Sequence, residues 1–193
     1  MKNLIIIPSR LESSRLPNKP LADINGEPMI VHVFNRAREA NIANVIVAAG
    51  NIEIKEAIEN VGGEAILTNP NHASGSDRIY EALTIYDKDS SYDNVINLQG
   101  DLPNIQKDAL TKIVSLLDSG NSDISTLGVK ISSDQEILNP NIVKVYVKNL
   151  SDNNIIDDFD RTFDLSKKDF LYHLSECAFL LYQKIYFLML LKK

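Results

Sequence analysis

The sequence predicts an α/β fold on a doubly wound, mostly parallel sheet, and three observations carry that expectation. Leu4 to Ile7, Asn44 to Ala49, Glu64 to Thr68 and Asn94 to Leu98 are short, Val/Ile-rich runs, continuous rather than alternating, as in strands covered on both faces. Helical patterns lie between them, and the resulting βαβαβαβα order is that of a parallel sheet flanked by helices. With 193 residues, 44% of them hydrophobic, the chain is long and apolar enough for one domain with a substantial core.

The first helix follows Pro28, which suits a first turn, and puts Met29, Ile30, Val33, Phe34 and Ala37 on one face. The second runs from Ile52 to Val61 and ends at Gly62-Gly63, where glycine tolerates a left-handed cap. The third spans Ser76 to Tyr86, and the fourth Lys107 to Leu117 before Gly120. No repeat or low-complexity linker interrupts them. A net charge of -6 argues against nucleic acid or an anionic membrane as a general partner, so any anion site must be local. The single cysteine, Cys177, has no internal disulfide partner, and the N-terminus lacks a secretory pattern, so the cytoplasm is the expected address.

Ligands of such sheets bind outside the carboxyl ends of the strands, which gathers three loops: Pro8 to Pro20, Asn69 to Asp77, and Gln99 to Pro103. The first has no glycine and matches neither glycine-rich phosphate-binding pattern. Its cations Arg10, Arg15 and Lys19 are either a solvated surface or a set of side chains for phosphate, with Pro17 and Pro20 restricting the loop. In the third loop, Gly100-Asp101 is either an ordinary turn or a strand end presenting a hard oxygen ligand for Mg²⁺ shared with phosphate. In the second, Ser74 or Ser76 suits a helix cap with Asp77 in the first turn. Capping leaves Arg78 unexplained, because the helix dipole disfavours a cation there. His72 has no neighbouring histidine or cysteine and reads as structural or exposed rather than as a zinc ligand.

The segments "IIIPSRLESSRLPNKPL", "GEPMIVHVFNRARE", "HASGSDR", "NLQGDLP" and "NPNIVKV" resemble, in order and spacing, the cytidylyltransferases that activate 3-deoxy-manno-octulosonate, the CMP-Kdo synthetases. The likeness covers about residues 1 to 148. It implies the nucleotide-diphospho-sugar transferase fold, an active-site Mg²⁺, a homodimer, and transfer of CMP from CTP to the sugar with release of pyrophosphate, for lipopolysaccharide synthesis. Arg10, Arg15 and Lys19 match the family's triphosphate-binding residues, and Asp101 matches its Mg²⁺-binding aspartate. Ser74 and Arg78 fall at the nucleotide and Gln99 at the sugar, with Arg10, Lys19 and Asp101 as the catalytic set. In-line attack by the anomeric hydroxyl on the α-phosphorus needs positioning and charge stabilisation, and no nucleophilic side chain.

The chain departs from the family pattern in three places. Gly100-Asp101-Leu102-Pro103 stands for Gly-Asp-Glu-Pro, and Ala49-Gly50 for a frequent Thr-Asp. Family members also run on to a Gly-x-Asp-Thr segment with a second metal-binding aspartate, and this chain has no such segment. After "FLYHL" the sequence becomes an apolar tail, Ala178 to Leu191, interrupted by Gln183 and Lys184 and too short to cross a bilayer. The expectation is a domain over 1–174 followed by an atypical tail over 175–193, as in a C-terminally truncated or frame-shifted member. Two alternatives to transfer onto 3-deoxy-manno-octulosonate stay open: an inactive chain that at most binds nucleotide, and a cytidylyltransferase for another acidic sugar.

Overall fold

The computed structural model describes residues 1–12, 16–118, 124–131, 133–147, 156–160, 171–173 and 180–183. Two compact units divide the chain: Met1–Ser125 with Phe179–Lys193, and Thr126–Ala178. The first unit contains β1 (Asn3–Ser9), β2 (Asp23–Ile24), β3 (Glu27–Pro28), α1 (Met29–Glu39), β4 (Asn44–Ala49) and α2 (Ile52–Glu59). It continues with β5 (Ala65–Leu67), α3 (Gly75–Tyr86), β6 (Asn94–Asn97), α4 (Lys107–Asp118) and β7 (Ile124–Ser125). The chain then builds the second unit from β8 (Val129–Lys130), α5 (Asp134–Leu138), β9 (Lys144–Val147), β10 (Ile156–Asp160) and β11 (Leu171–His173), and returns to the first as β12 (Leu180–Gln183).

The main sheet has the order β5-β4-β1-β6-β12-β7. Its first four strands are parallel, with Leu4 opposite Asn44 on one side of β1 and Asn3 opposite Asn94 on the other. Side chains along β1 and β4 alternate between faces. Leu4, Ile6, Ile46, Ala48 and Val95 pack with Ile79, Ala82 and Leu83 of α3. Ile7 turns the other way, toward Ile30 of α1, and α1 packs on α2 and α4. Covering both faces is what removes polar alternation from these strands. Leu4 to Ile7 are fully buried, each contributing about 1.5–3 kcal/mol relative to exposure.

The winding fixes where a ligand can sit. From β1 the chain steps outward to β4 and β5, then crosses back to β6 on the far side of β1, with α3 on the opposite face from α1, as right-handed crossovers require. The direction of winding reverses between β1 and β6, and a crevice opens beyond their carboxyl ends. Pro8, Ser9 and Gln99 lie at those ends.

The expected helices form within two residues of their boundaries, with one local difference. Pro28 is not in the first turn of α1. It is the residue before it, paired with Asp23 in a β2–β3 hairpin. Asn25 and Gly26 turn that hairpin at φ 53° and 92°, the left-handed pair that Asn-Gly supplies. Gly62 caps α2 at φ 71°, its N–H donating to the Glu59 carbonyl.

The segment 175–193, set apart in the sequence reading, contributes β12. This strand lies antiparallel to β6, from Leu180 opposite Asn97 to Gln183 opposite Asn94, and antiparallel to β7. The mostly parallel sheet therefore includes one reversed strand. Residues 184–193 lie outside the described residues. Among the described residues no helix is long and apolar enough to cross a membrane.

The second unit is an antiparallel sheet in the order β10-β9-β11-β8. Ser133 caps α5 by accepting from the Glu136 N–H. Lys144 on β9 is buried and donates to the Asn139 carbonyl at 2.6 Å, closing the turn inside the "NPNIVKV" segment.

Candidate active site

The opening loop is held at both ends. The Asn18 N–H donates to the Leu11 carbonyl at 3.2 Å, and Asn18, at φ 56°, turns the chain into a short 3-10 turn over Lys19–Leu21 anchored by buried Pro20. Asn51 stands where a cap of α2 would be and makes no cap hydrogen bond. Its side chain instead accepts from the Leu11 N–H at 3.0 Å and donates to Glu12 at 3.4 Å. A backbone hydrogen bond and then the Asn51 amide hold the Glu12 carboxyl below its ordinary pKa.

Lys19 and Asp101, 82 residues apart, meet directly: Nζ lies 2.7 Å from Oδ2. The close approach of the two strand ends depends on Gly100, where a Cβ would lie 2.8 Å from the Pro8 carbonyl oxygen. Leu102, in place of the family's glutamate, is buried and anchors the turn after Asp101. The ion pair is well exposed, with side-chain accessibilities of 37% and 50%. Such a pair contributes under about 1 kcal/mol, so it opens readily.

Beside it is a cleft of about 200 Å³ lined by Ser9, Arg10, His72, Ser74, Arg78 and Gln99, with Pro8, Ala73 and Gly75 completing the wall. Arg10 donates from Nη1 to the His72 carbonyl at 3.4 Å. Ser74 caps α3, accepting from the Asp77 N–H at 3.1 Å and donating its hydroxyl to Asp77 Oδ2 at 2.7 Å, while Asp77 accepts from the Ser74 N–H. The cleft thus faces a helix N-terminus, whose dipole and free N–H groups favour an anion. Gln99 donates from Nε2 to buried Asn97 at 3.2 Å, which orients its amide at the cleft wall.

Arg78 is buried at 2% exposure. Its guanidinium donates to Thr68 Oγ1 at 2.6 Å and to the carbonyls of Asn69 and Pro70 at 3.1 Å each. Room for it comes from Gly50, where a Cβ would lie 2.6 Å from Nη1. Among the described residues no carboxylate forms an ion pair with it. Burial, and then the charge of Arg10, push its pKa down, with Glu12 and Glu81 opposing. It remains a cation, as arginine does in proteins.

One turn along α3, Glu81 braces the same loop, accepting from the Asn69 N–H at 2.8 Å and pairing with His72 Nε2 at 2.5 Å. Burial raises the Glu81 pKa, but the Asn69 and His72 hydrogen bonds outweigh it and leave the carboxyl below its usual 4.5. A depressed carboxylate contributes stability that is present above the unfolded value and lost as pH falls through the folded one. Acid unfolding of Glu81→Gln is therefore expected to depend less on pH than wild type below about pH 4.5. Parallel curves from thermal melts at pH 3 to 6, about the range over which carboxylates titrate, would refute the brace.

Of the residues predicted from sequence, Arg10, Ser74, Arg78 and Gln99 line one cleft, and Lys19 and Asp101 touch at its side. Arg15 lies outside the described residues. Sequence reading missed Asn51, Glu81, Gly50 and Asn97. For Asn97, a polar side chain inside the buried β6 run was a usable signal; the others act across long separations.

A cytidylyltransferase family profile matches residues 4–186. The chain belongs to the cytidylyltransferase family. The match runs through β12. Among this chain's relatives, the 3-deoxy-manno-octulosonate cytidylyltransferase of Brucella ovis is 49% identical over 153 residues, 79% of this chain and 61% of the relative. The enzyme of the same name from Bartonella bacilliformis is 46% identical over 155 residues, covering 80% and 64%. The chain thus spans less than two thirds of the length of these curated relatives. A solved CMP:2-keto-3-deoxy-manno-octonic acid synthetase complexed with CTP superposes with a TM-score of 0.85 at 34% identity, over 100% of this chain and 78% of that one.

Proposed function

We propose that this cytidylyltransferase transfers CMP from CTP to 3-deoxy-manno-octulosonate and releases pyrophosphate, supplying lipopolysaccharide synthesis in the cytoplasm. The observation that carries the reading is the placement of Lys19 and Asp101 in contact beside the Arg10 and Arg78 cleft, at the reversal point of the sheet. The names of the similar enzymes favour CTP and this sugar acid over other substrates. A homodimer is part of the same reading.

In this reading Arg10, Arg15 and Lys19 hold the triphosphate, with Ser74 and Arg78 at the nucleoside and Gln99 at the sugar. The anomeric hydroxyl forms the new bond to the α-phosphorus as the bond to the bridging oxygen of pyrophosphate breaks. Arg10 and Lys19 hold the negative charge that moves onto the departing phosphates, in a geometry set before substrate arrives. Asp101 would hold Mg²⁺. Its carboxylate is half exposed, and among the described residues no cluster of three or more acidic, histidine or cysteine side chains could hold a metal. One carboxylate completed by phosphates and water is a coordination that Mg²⁺ accepts. When bound, the ion supplies charge neutralisation between two anionic substrates.

Purified protein given CTP, the sugar acid and Mg²⁺ is expected to release pyrophosphate, and the absence of release with CTP binding intact would favour the inactive alternative. Release with a different acidic sugar alone would move the substrate assignment. Lys19→Ala is expected to weaken CTP binding by about 1–3 kcal/mol, the contribution of a charged hydrogen bond, and more at low salt than at high. Equal affinities by calorimetry in the two proteins would remove Lys19 from the phosphate site.

A further inference from the structure

Asn51 is well placed to cap α2 and does not. It precedes the helix in the extended conformation of a cap residue, at φ -140° and ψ 148°, and asparagine is among the preferred caps. Its side chain makes no cap hydrogen bond, so the first-turn N–H groups of α2 lose a ready partner. The amide turns instead to the opening loop, 40 residues earlier. The Leu11 N–H can only donate, so the atom facing it at 3.0 Å is Oδ1, and Nδ2 is left for the Glu12 carboxylate at 3.4 Å. Both functions of one amide are thereby committed to two consecutive loop residues.

Leu11 is the joint between two cations of that loop. Arg10 precedes it directly. The Leu11 carbonyl accepts from the Asn18 N–H at 3.2 Å, and Asn18 delivers the chain into the turn that begins with Lys19. Both backbone groups of Leu11 are therefore bonded, one to Asn51 and one to the residue before Lys19. Asn51 is itself anchored, because the neighbouring Gly50 N–H donates to the Ser9 carbonyl at 2.8 Å, where β4 leaves the ladder beside β1. A fixed base lowers the conformational entropy that a ligand must remove when Arg10 and Lys19 close on it. The bond to Glu12 adds a second effect. Glu12 is the one acidic residue from Pro8 to Pro20, and a carboxylate engaged by the Asn51 amide competes less with an anionic ligand for the loop's cations.

We propose that Asn51 is a positioning residue: its amide fixes Leu11, and through Leu11 the approach of Arg10 and Lys19 to the phosphates of a bound nucleotide. The inference rests on the nucleotide reading above and adds the residue that presets its cations. Asn51→Ala and Asn51→Ser separate placement from stability. The serine hydroxyl can cap α2, but it is one bond shorter and falls short of Leu11. Asn51→Ser is therefore expected to melt above Asn51→Ala, while calorimetry shows both variants weakened toward CTP and inorganic pyrophosphate alike, by roughly three- to tenfold. Hydrogen exchange on the free proteins should show the Leu11 amide protected in wild type and faster in both variants. Wild-type affinities in Asn51→Ala overturn the role. So does binding that recovers in Asn51→Ser in step with its melting temperature, which would mark Asn51 as structural alone. An equally protected Leu11 amide in Asn51→Ala overturns the latch itself. Wild-type protein that binds pyrophosphate but not CTP overturns the nucleotide reading, and the loss of pyrophosphate binding in the variants then decides the placement of the cations. Wild-type protein that binds neither overturns both.

Discussion

Asp101→Asn is expected to slow CMP transfer by roughly 10²- to 10³-fold, the cost of losing one preorganised electrostatic group, while CTP binding without metal stays equal or tightens. Two opposite consequences follow from one contact. Asp101 is the partner of Lys19 at 2.7 Å, so neutralising it frees the ammonium for phosphate and removes a negative charge from beside the triphosphate. The same change takes away the carboxylate that would hold Mg²⁺, and with it the charge balance of the reacting centre. Asparagine has nearly the same shape, so the close approach of Gly100 to the Pro8 carbonyl is not disturbed. The expected signature is a lowered kcat with an unchanged or lowered nucleotide dissociation constant. Rates of pyrophosphate release, with calorimetry in the presence and absence of Mg²⁺, provide the check, and near-wild-type turnover would eliminate Asp101 from the reaction.

Arg78→Ala is expected to destabilise the protein by about 3–5 kcal/mol, the range of the largest single-residue effects. It removes three hydrogen bonds from a charged donor and leaves the carbonyls of Asn69 and Pro70 without that donor. For a chain of this length the melting temperature should fall by on the order of 10 °C. Lysine at 78 keeps the charge but loses the planar fork that reaches three acceptors, so it should recover only part of the loss. Gly50→Ala should give a milder version of the same defect, because its Cβ would occupy the position of Nη1. A variant that melts like wild type but binds CTP poorly would make Arg78 a ligand contact alone. The expected result is both effects together, since the loop that Arg78 pins carries His72, and the His72 carbonyl receives Arg10.

The parallel core was legible because its signals are local. Leu4 to Ile7 are all apolar since both faces of β1 are covered, and α1 shows its buried stripe at Met29, Ile30, Val33, Phe34 and Ala37. The cations of the opening loop, and Asp101 after a glycine, were equally plain as residue types in loops that a doubly wound sheet must bring together. β12 was not legible. Leu180 to Gln183 is four residues of apolar and mixed character, a length at which periodicity cannot tell strand from helix. Its place between β6 and β7 is set by backbone partners far away in the chain.

The sequence by itself determined which segments become the four parallel strands and the four α-helices of the first unit, where the ligand-side loops fall, and which charges those loops carry, because these follow from short-range periodicity and residue chemistry. Only the tertiary structure decided how the charges are used. Arg78 turns inward to hold a loop, because Gly50, 28 positions earlier by residue number, leaves its guanidinium the space. Lys19 finds Asp101 because glycine lets two strand ends approach. Ser9 is left with an unanswered hydroxyl because its backbone is locked in the ladder. Each outcome depends on distances between residues remote in sequence, and these exist only once the sheet has closed around its core.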